Sequence, residues 1–123
     1  MLEAYSIGIT AAANSAVPFN SVSIVKGCTA KLASPTSVEL NKCGVYMVAV
    51  DATASAETTL QLTKDGVAQP QAQSTGTACS FTTLVQVPTN NSACACASPV
   101  TLQVLNSAAV TLESCNIVVT KVC

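Results

Sequence analysis

The sequence predicts an all-β protein, an antiparallel sandwich or barrel of about eight to ten strands, on three observations. Val and Thr dominate, and both are branched at Cβ and suited to a pleated sheet. Apolar and polar residues alternate over several short runs. Turn residues separate those runs at short intervals, and no stretch sustains a helical period; Ala11-Ala12-Ala13 is short and set among Thr, Asn, Ser and Pro. The chain has 123 residues, which suits one domain with a single core.

Taken in order, residues 1–17 form an N-terminal segment expected to serve as an attachment or first-strand region, and residues 18–123 form a single domain. Glu3 stands where a secretory leader would carry positive charge, and Ser6, Thr10, Asn14 and Ser15 interrupt the apolar residues, so neither a leader nor a membrane span is expected. Cys43-Gly44 precedes Val45-Tyr46-Met47-Val48-Ala49-Val50, the most continuously apolar run and the expected central strand. In Thr58–Thr63 the leucines Leu60 and Leu62 share one face. Asp65-Gly66 then supplies a pair that tolerates the positive φ of a tight hairpin. The Gln-rich residues 68–78 read as an exposed loop. Beyond them Phe81, Thr83, Val85 and Val87 point one way and Leu84 the other, and Val100, Leu102 and Val104 again share a face. The five prolines, at 18, 35, 70, 88 and 99, are expected at strand edges or in connections, where a missing N–H costs least.

Composition narrows the function. Charged residues make up 9%, with five lysines, no arginine and a net charge of −1, too little basic surface to neutralise a row of phosphates. Aromatic residues are 3% and there is no tryptophan, which weakens stacking on bases or sugar rings. Histidine is absent, so Ser/His/Asp and Cys/His nucleophilic arrangements are excluded. The acids Glu3, Glu39, Asp51, Glu57, Asp65 and Glu113 are scattered singly, without the close spacing of a shared carboxylate site. A non-enzymatic protein is expected, without cofactor, nucleic acid or membrane.

The seven cysteines, Cys28, Cys43, Cys79, Cys94, Cys96, Cys115 and Cys123, are the one chemical excess. Zinc sites favour two CxxC-type pairs, and this chain has one CxC plus singletons. A redox site would want CxxC at a helix start, and no helix is expected. The cysteines are therefore read as buried small hydrophobes or as disulfide partners, with connectivity left open. Cys94 and Cys96 fall on one side of an extended chain and are read as loop fasteners, because a bond between them would close a strained ring. Cys123 is the candidate for an interchain bond or a free thiol.

The order of these pieces resembles the centre of the tumour necrosis factor-like and complement-globular-head jelly rolls. In SVELNKCGVYMVAVDATASAETTLQLTKDG the matching residues are Gly44, Tyr46, Leu60, Leu62 and Gly66, with Asp65 where the family usually has Asn. VPFNSVSIVKG and Ile117–Lys121 match as first and last strands. The resemblance implies an antiparallel jelly-roll sandwich assembled as a homotrimer. The sheet carrying Gly44 to Val50 would face the threefold axis, with Tyr46 in the trimer interior or the inner core. Bacterial and phage proteins of this layout include head fibres, capsid-decoration proteins and heads of collagen-like surface proteins. The expected role is a virion structural protein made in the bacterial cytoplasm, its partners being itself and capsid or other virion proteins. The alternative is an adhesive module on a cell or spore surface, binding a host glycan or protein.

Overall fold

The computed structural model describes residues 1–27, 29–88 and 99–123. Among these residues nine strands follow one another: β1 (Leu2–Ala11), β2 (Ser15–Ala16), β3 (Ser21–Val25), β4 (Ala30–Ser34), β5 (Ser37–Leu40), β6 (Gly44–Lys64), β7 (Val67–Val87), β8 (Val100–Asn106) and β9 (Val110–Lys121). Every pairing is antiparallel. The sheet closes nearly on itself as a barrel-like sandwich.

Its organising element is the hairpin of β6 and β7, each 21 residues long. The first half of β6 pairs with the second half of β7 and with β9, whereas its second half pairs with the first half of β7 and with β8. The register breaks between Thr53 and Thr58, where the hairpin passes from one wing of the sheet to the other. A break of this kind bends a strand without ending it. One wing thus runs β3-β1-β9-β6-β7, and the other runs β4-β5-β8-β6-β7 with β2 against the far end of β8.

The apolar alternation becomes the core by rows. Leu2, Val119, Val48 and Thr83 face inward side by side across β1, β9, β6 and β7; Ala4, Ile117, Val50 and Phe81 form the next row. In the second wing Leu60, Leu62, Leu102 and Val104 are fully or almost fully buried. Burying a Val or Leu contributes roughly 1.5–3 kcal/mol, so such rows hold the wings together. Leu84 points outward and is 61% exposed, as its alternation predicts. Asp65 and Gly66 close the hairpin with φ of 51° and 83°. A turn with positive φ at both central residues matches the twist of the strands it joins.

Two expectations are corrected in part. Residues 68–78 are not a loop; they belong to β7, which among the described residues pairs only with β6 and stands at the sheet edge. The register slips between Gln61 and Thr63, so Gln69–Ala72 form a bulge that accommodates Pro70 where no ladder N–H is needed. The first strand is β1 rather than VPFNSVSIVKG, whose Ser21–Val25 is the edge strand β3. Residues 2–11 lie between β3 and β9, inside the sheet.

Candidate functional site: the cysteines, Tyr46 and two outer faces

Cys28, Cys94 and Cys96 lie outside the described residues, as do all of residues 89–98. The remaining four cysteines fall into two groups. Cys79 and Cys115 both pair with Ala52, one from β7 and one from β9, and all three face inward. Two strand spacings place their backbones about 9–10 Å apart. A disulfide needs Cα atoms within about 7 Å, so the fold keeps these thiols separate. Cys79 Sγ donates to the carbonyls of Gly76 at 3.4 Å and Thr58 at 3.6 Å, bracing the bend of the hairpin. Burial pushes the Cys79 thiol up, against the pull of hydrogen bonds from Leu60 and Ser74. Burial pushes Cys115 up to about 12, with Cys79 and Asp51 adding in the same direction and the Asn116 backbone opposing. Both are therefore neutral thiols at physiological pH, poor nucleophiles and poor metal ligands.

At the opposite end of β6, Gly44 and Val45 lie against the backbone of Cys123. Cys43 is half-buried in the bend before the strand, and Cys123 is exposed. A Cβ on Gly44 (φ 140°) would lie within 3 Å of the Cys123 carbonyl oxygen and of Lys121 Cε. Gly44 is thus required by both its φ and its neighbours. The sequence held no signal for this contact, because proximity of residues 44 and 123 depends on β9 pairing with β6.

Tyr46 is fully buried within the single chain. Its hydroxyl lies 2.7 Å from the Lys42 carbonyl and donates there, with the Thr29 carbonyl at 3.3 Å. The ring anchors the connections before β4 and β6 to the core, and has no surface left for a second copy to cover. Asn106 has the same character: fully buried, its amide donates to the carbonyls of Ala12 and Ala108 and accepts from the Thr58 hydroxyl. Sequence reading missed it because a lone Asn at a strand end reads as a turn residue.

The outer face of the β3-β1-β9-β6-β7 wing carries Met47, Ala49, Leu84 and Val118 in adjoining register positions. Glu3 and Asp51 are its carboxylates; Ser80 donates to Asp51 at 2.7 Å, and Asn116 and Ser23 donate to Glu3. On the other wing, a cleft of about 180 Å³ is lined by Asn14, Thr59, Gln61, Leu105, Asn106 and Ser107. Its polar groups are neutral amides and hydroxyls. Among the described residues, no three of Cys, Asp and Glu gather as a metal site, and no helix is long and apolar enough to cross a membrane. No family model matches the chain, and no curated protein matches it either.

Proposed function

We propose that the chain is a non-enzymatic structural subunit, a trimeric jelly roll that decorates or projects from a virion. The observation that carries this reading is the layout: two five-stranded wings joined by one bent hairpin that opens on Gly44-x-Tyr46 and turns at Asp65-Gly66. The outer face around Met47, Ala49 and Leu84 supports association, since a second copy would cover apolar side chains that one chain leaves wet. Buried neutral thiols and scattered carboxylates fit a protein whose work is mechanical. Light scattering of the purified chain tests the assembly. A trimer of three 12.4 kDa chains weighs about 37 kDa, and a mass that stays at 12.4 kDa at micromolar concentration rejects it. Addition of the chain to particles lacking it, followed by sedimentation, tests attachment to a capsid.

A second reading, an adhesive surface module, is favoured by the neutral cleft beside Asn14 and Gln61, whose amides and hydroxyls suit sugar hydroxyl groups. A glycan array with specific binding, lost on Gln61→Ala, would put this reading first.

A further inference from the structure

We propose that the cleft beside Asn14 and Gln61 receives the acetamido group of an N-acetylated sugar. The assignment rests on the adhesive reading and names its ligand.

The cleft is braced from beneath by one buried residue. Asn106 ends β8, and its amide donates to the Ala12 carbonyl in the turn before β2 and to the Ala108 carbonyl in the turn before β9. The Thr58 hydroxyl donates to Asn106 and accepts from the Ala108 N–H at 3.2 Å. Ser15 Oγ donates to the Ala12 carbonyl at 2.6 Å, closing the turn that carries Asn14. Thr59 and Ser107 lock each other as well. The Thr59 N–H donates to Ser107 Oγ at 3.0 Å, and the Ser107 N–H donates to the Thr59 carbonyl at 3.1 Å. The walls are thus fixed before a ligand arrives, which spares part of the ordering cost of binding.

What the walls leave free defines the ligand. Among the described residues the Asn14 carboxamide has no hydrogen-bond partner. Gln61 Oε1 accepts nothing there either, and Gln61 Nε2 reaches the Gln69 carbonyl only at 3.5 Å. Ser107 Oγ is used as an acceptor, so its own proton is left to donate. Leu105, opposite Gln61 across β6 and β8, adds an apolar patch. Carboxamides offer a donor and an acceptor together, which matches the C=O and N–H of a secondary amide, and the patch suits a methyl group. Among the described residues no charged side chain and no aromatic ring lines the cleft. An ionic ligand therefore finds no counter-charge, and a sugar ring finds nothing to stack on. The volume of about 180 Å³ lies below the roughly 300 Å³ at which pockets enclose a drug-sized ligand, so the cleft takes one group of a larger molecule. An acetamido group brings N–H, C=O and methyl into that space. A plain hexose lacks the methyl, and a free amino sugar sets a positive charge against neutral dipoles.

Two-dimensional NMR of the isotopically labelled full chain tests this, with the methyl glycosides of N-acetylglucosamine, N-acetylgalactosamine, glucose and glucosamine as probes. The expected result is shifts of the Thr59, Gln61, Leu105 and Ser107 amides with an N-acetylated probe, saturating in the millimolar range. Glucose and glucosamine should bind at least about tenfold more weakly. Asn14→Gly retains the φ of 56° without strain, and Gln61→Met retains the length without the amide. Each should weaken the N-acetylated probe about tenfold while the rest of the spectrum stays that of the folded chain. No shift at these amides, glucose bound as tightly as the N-acetylated probes, or binding that survives both substitutions overturns the proposal. The adhesive reading fails separately. A glycan array that captures only non-acetylated glycans, with loss on Gln61→Ala, keeps that reading and overturns the acetamido assignment; a blank array without NMR shifts removes both.

Discussion

Single side chains in this protein act mostly by satisfying buried backbone groups. Tyr46→Phe keeps the ring but strips the Lys42 carbonyl of its donor, and should cost about 1–2 kcal/mol in urea unfolding. Asn106→Ala is expected to be worse, about 2–3 kcal/mol, because it takes a donor from the carbonyls of Ala108 and Ala12 and the acceptor from the buried Thr58 hydroxyl, although Ser15 still donates to Ala12. Cys115 gives stability a pH dependence. Burial pushes its thiol up to about 12 in the fold, whereas the unfolded thiol ionises near its ordinary value of 9.0. The unfolded state therefore binds fewer protons above pH 9, and stability falls as pH rises from 9 toward 12, by up to about 1.4 kcal/mol per pH unit. Urea titrations at pH 8 and pH 10 should differ by roughly 1 kcal/mol from this group, and Cys115→Ala should flatten that slope. Sequence alone placed Cys115 among seven equivalent thiols; its distinction comes from the Ala52 row, which exists only once β6, β7 and β9 pair.

At the scale of elements, the strands with one face buried were the legible ones. Phe81, Thr83, Val85 and Val87 alternate because β7 there covers the core, and Asp65-Gly66 carries its turn in its own chemistry. The first half of β7 was not legible. As an edge strand with a bulge opposite Leu62 it is polar on both faces, and it tolerates Pro70 and Gly76, so it reads as a loop. The first strand hid for a different reason: its inward positions include Ala4 and Ser6, and Ser6 is buried because it donates to the Pro18 carbonyl and accepts from the Asn20 N–H. Asp65 holds the hairpin tip to β8 through its carboxylate on the Thr101 N–H at 2.9 Å, beside its own N–H on the Thr101 carbonyl at 2.8 Å. Asp65→Asn should be nearly neutral, since Asn keeps an acceptor and tolerates positive φ. Asp65→Ala should cost about 1–2 kcal/mol in thermal or urea unfolding through strain and a lost hydrogen bond.

For the whole molecule, the outer face around Leu84 is where assembly can be separated from folding. Leu84 is largely exposed in the single chain, so Leu84→Lys should leave the circular dichroism spectrum and urea midpoint almost unchanged. If that face joins copies, the same substitution should reduce the scattering mass from about three chains to one. The candidate site itself was legible only as a list of cysteines; which of them meet is a property of topology, and topology was read from resemblance to jelly rolls rather than from the residues. That topology also governs how the chain can be made. β1 lies between β3 and β9, and β9 is built from residues 110–121. During synthesis the first long strand must wait, with one edge unpaired, until residues 110–121 have left the ribosome. Folding is thus dominated by distant pairings, which places it in the range of milliseconds to seconds. The exposed Val22, Ile24 and Val25 belong to β3, which pairs with the other edge of β1. Refolding yield should therefore fall steeply with protein concentration, as nascent copies compete for each other's open strands.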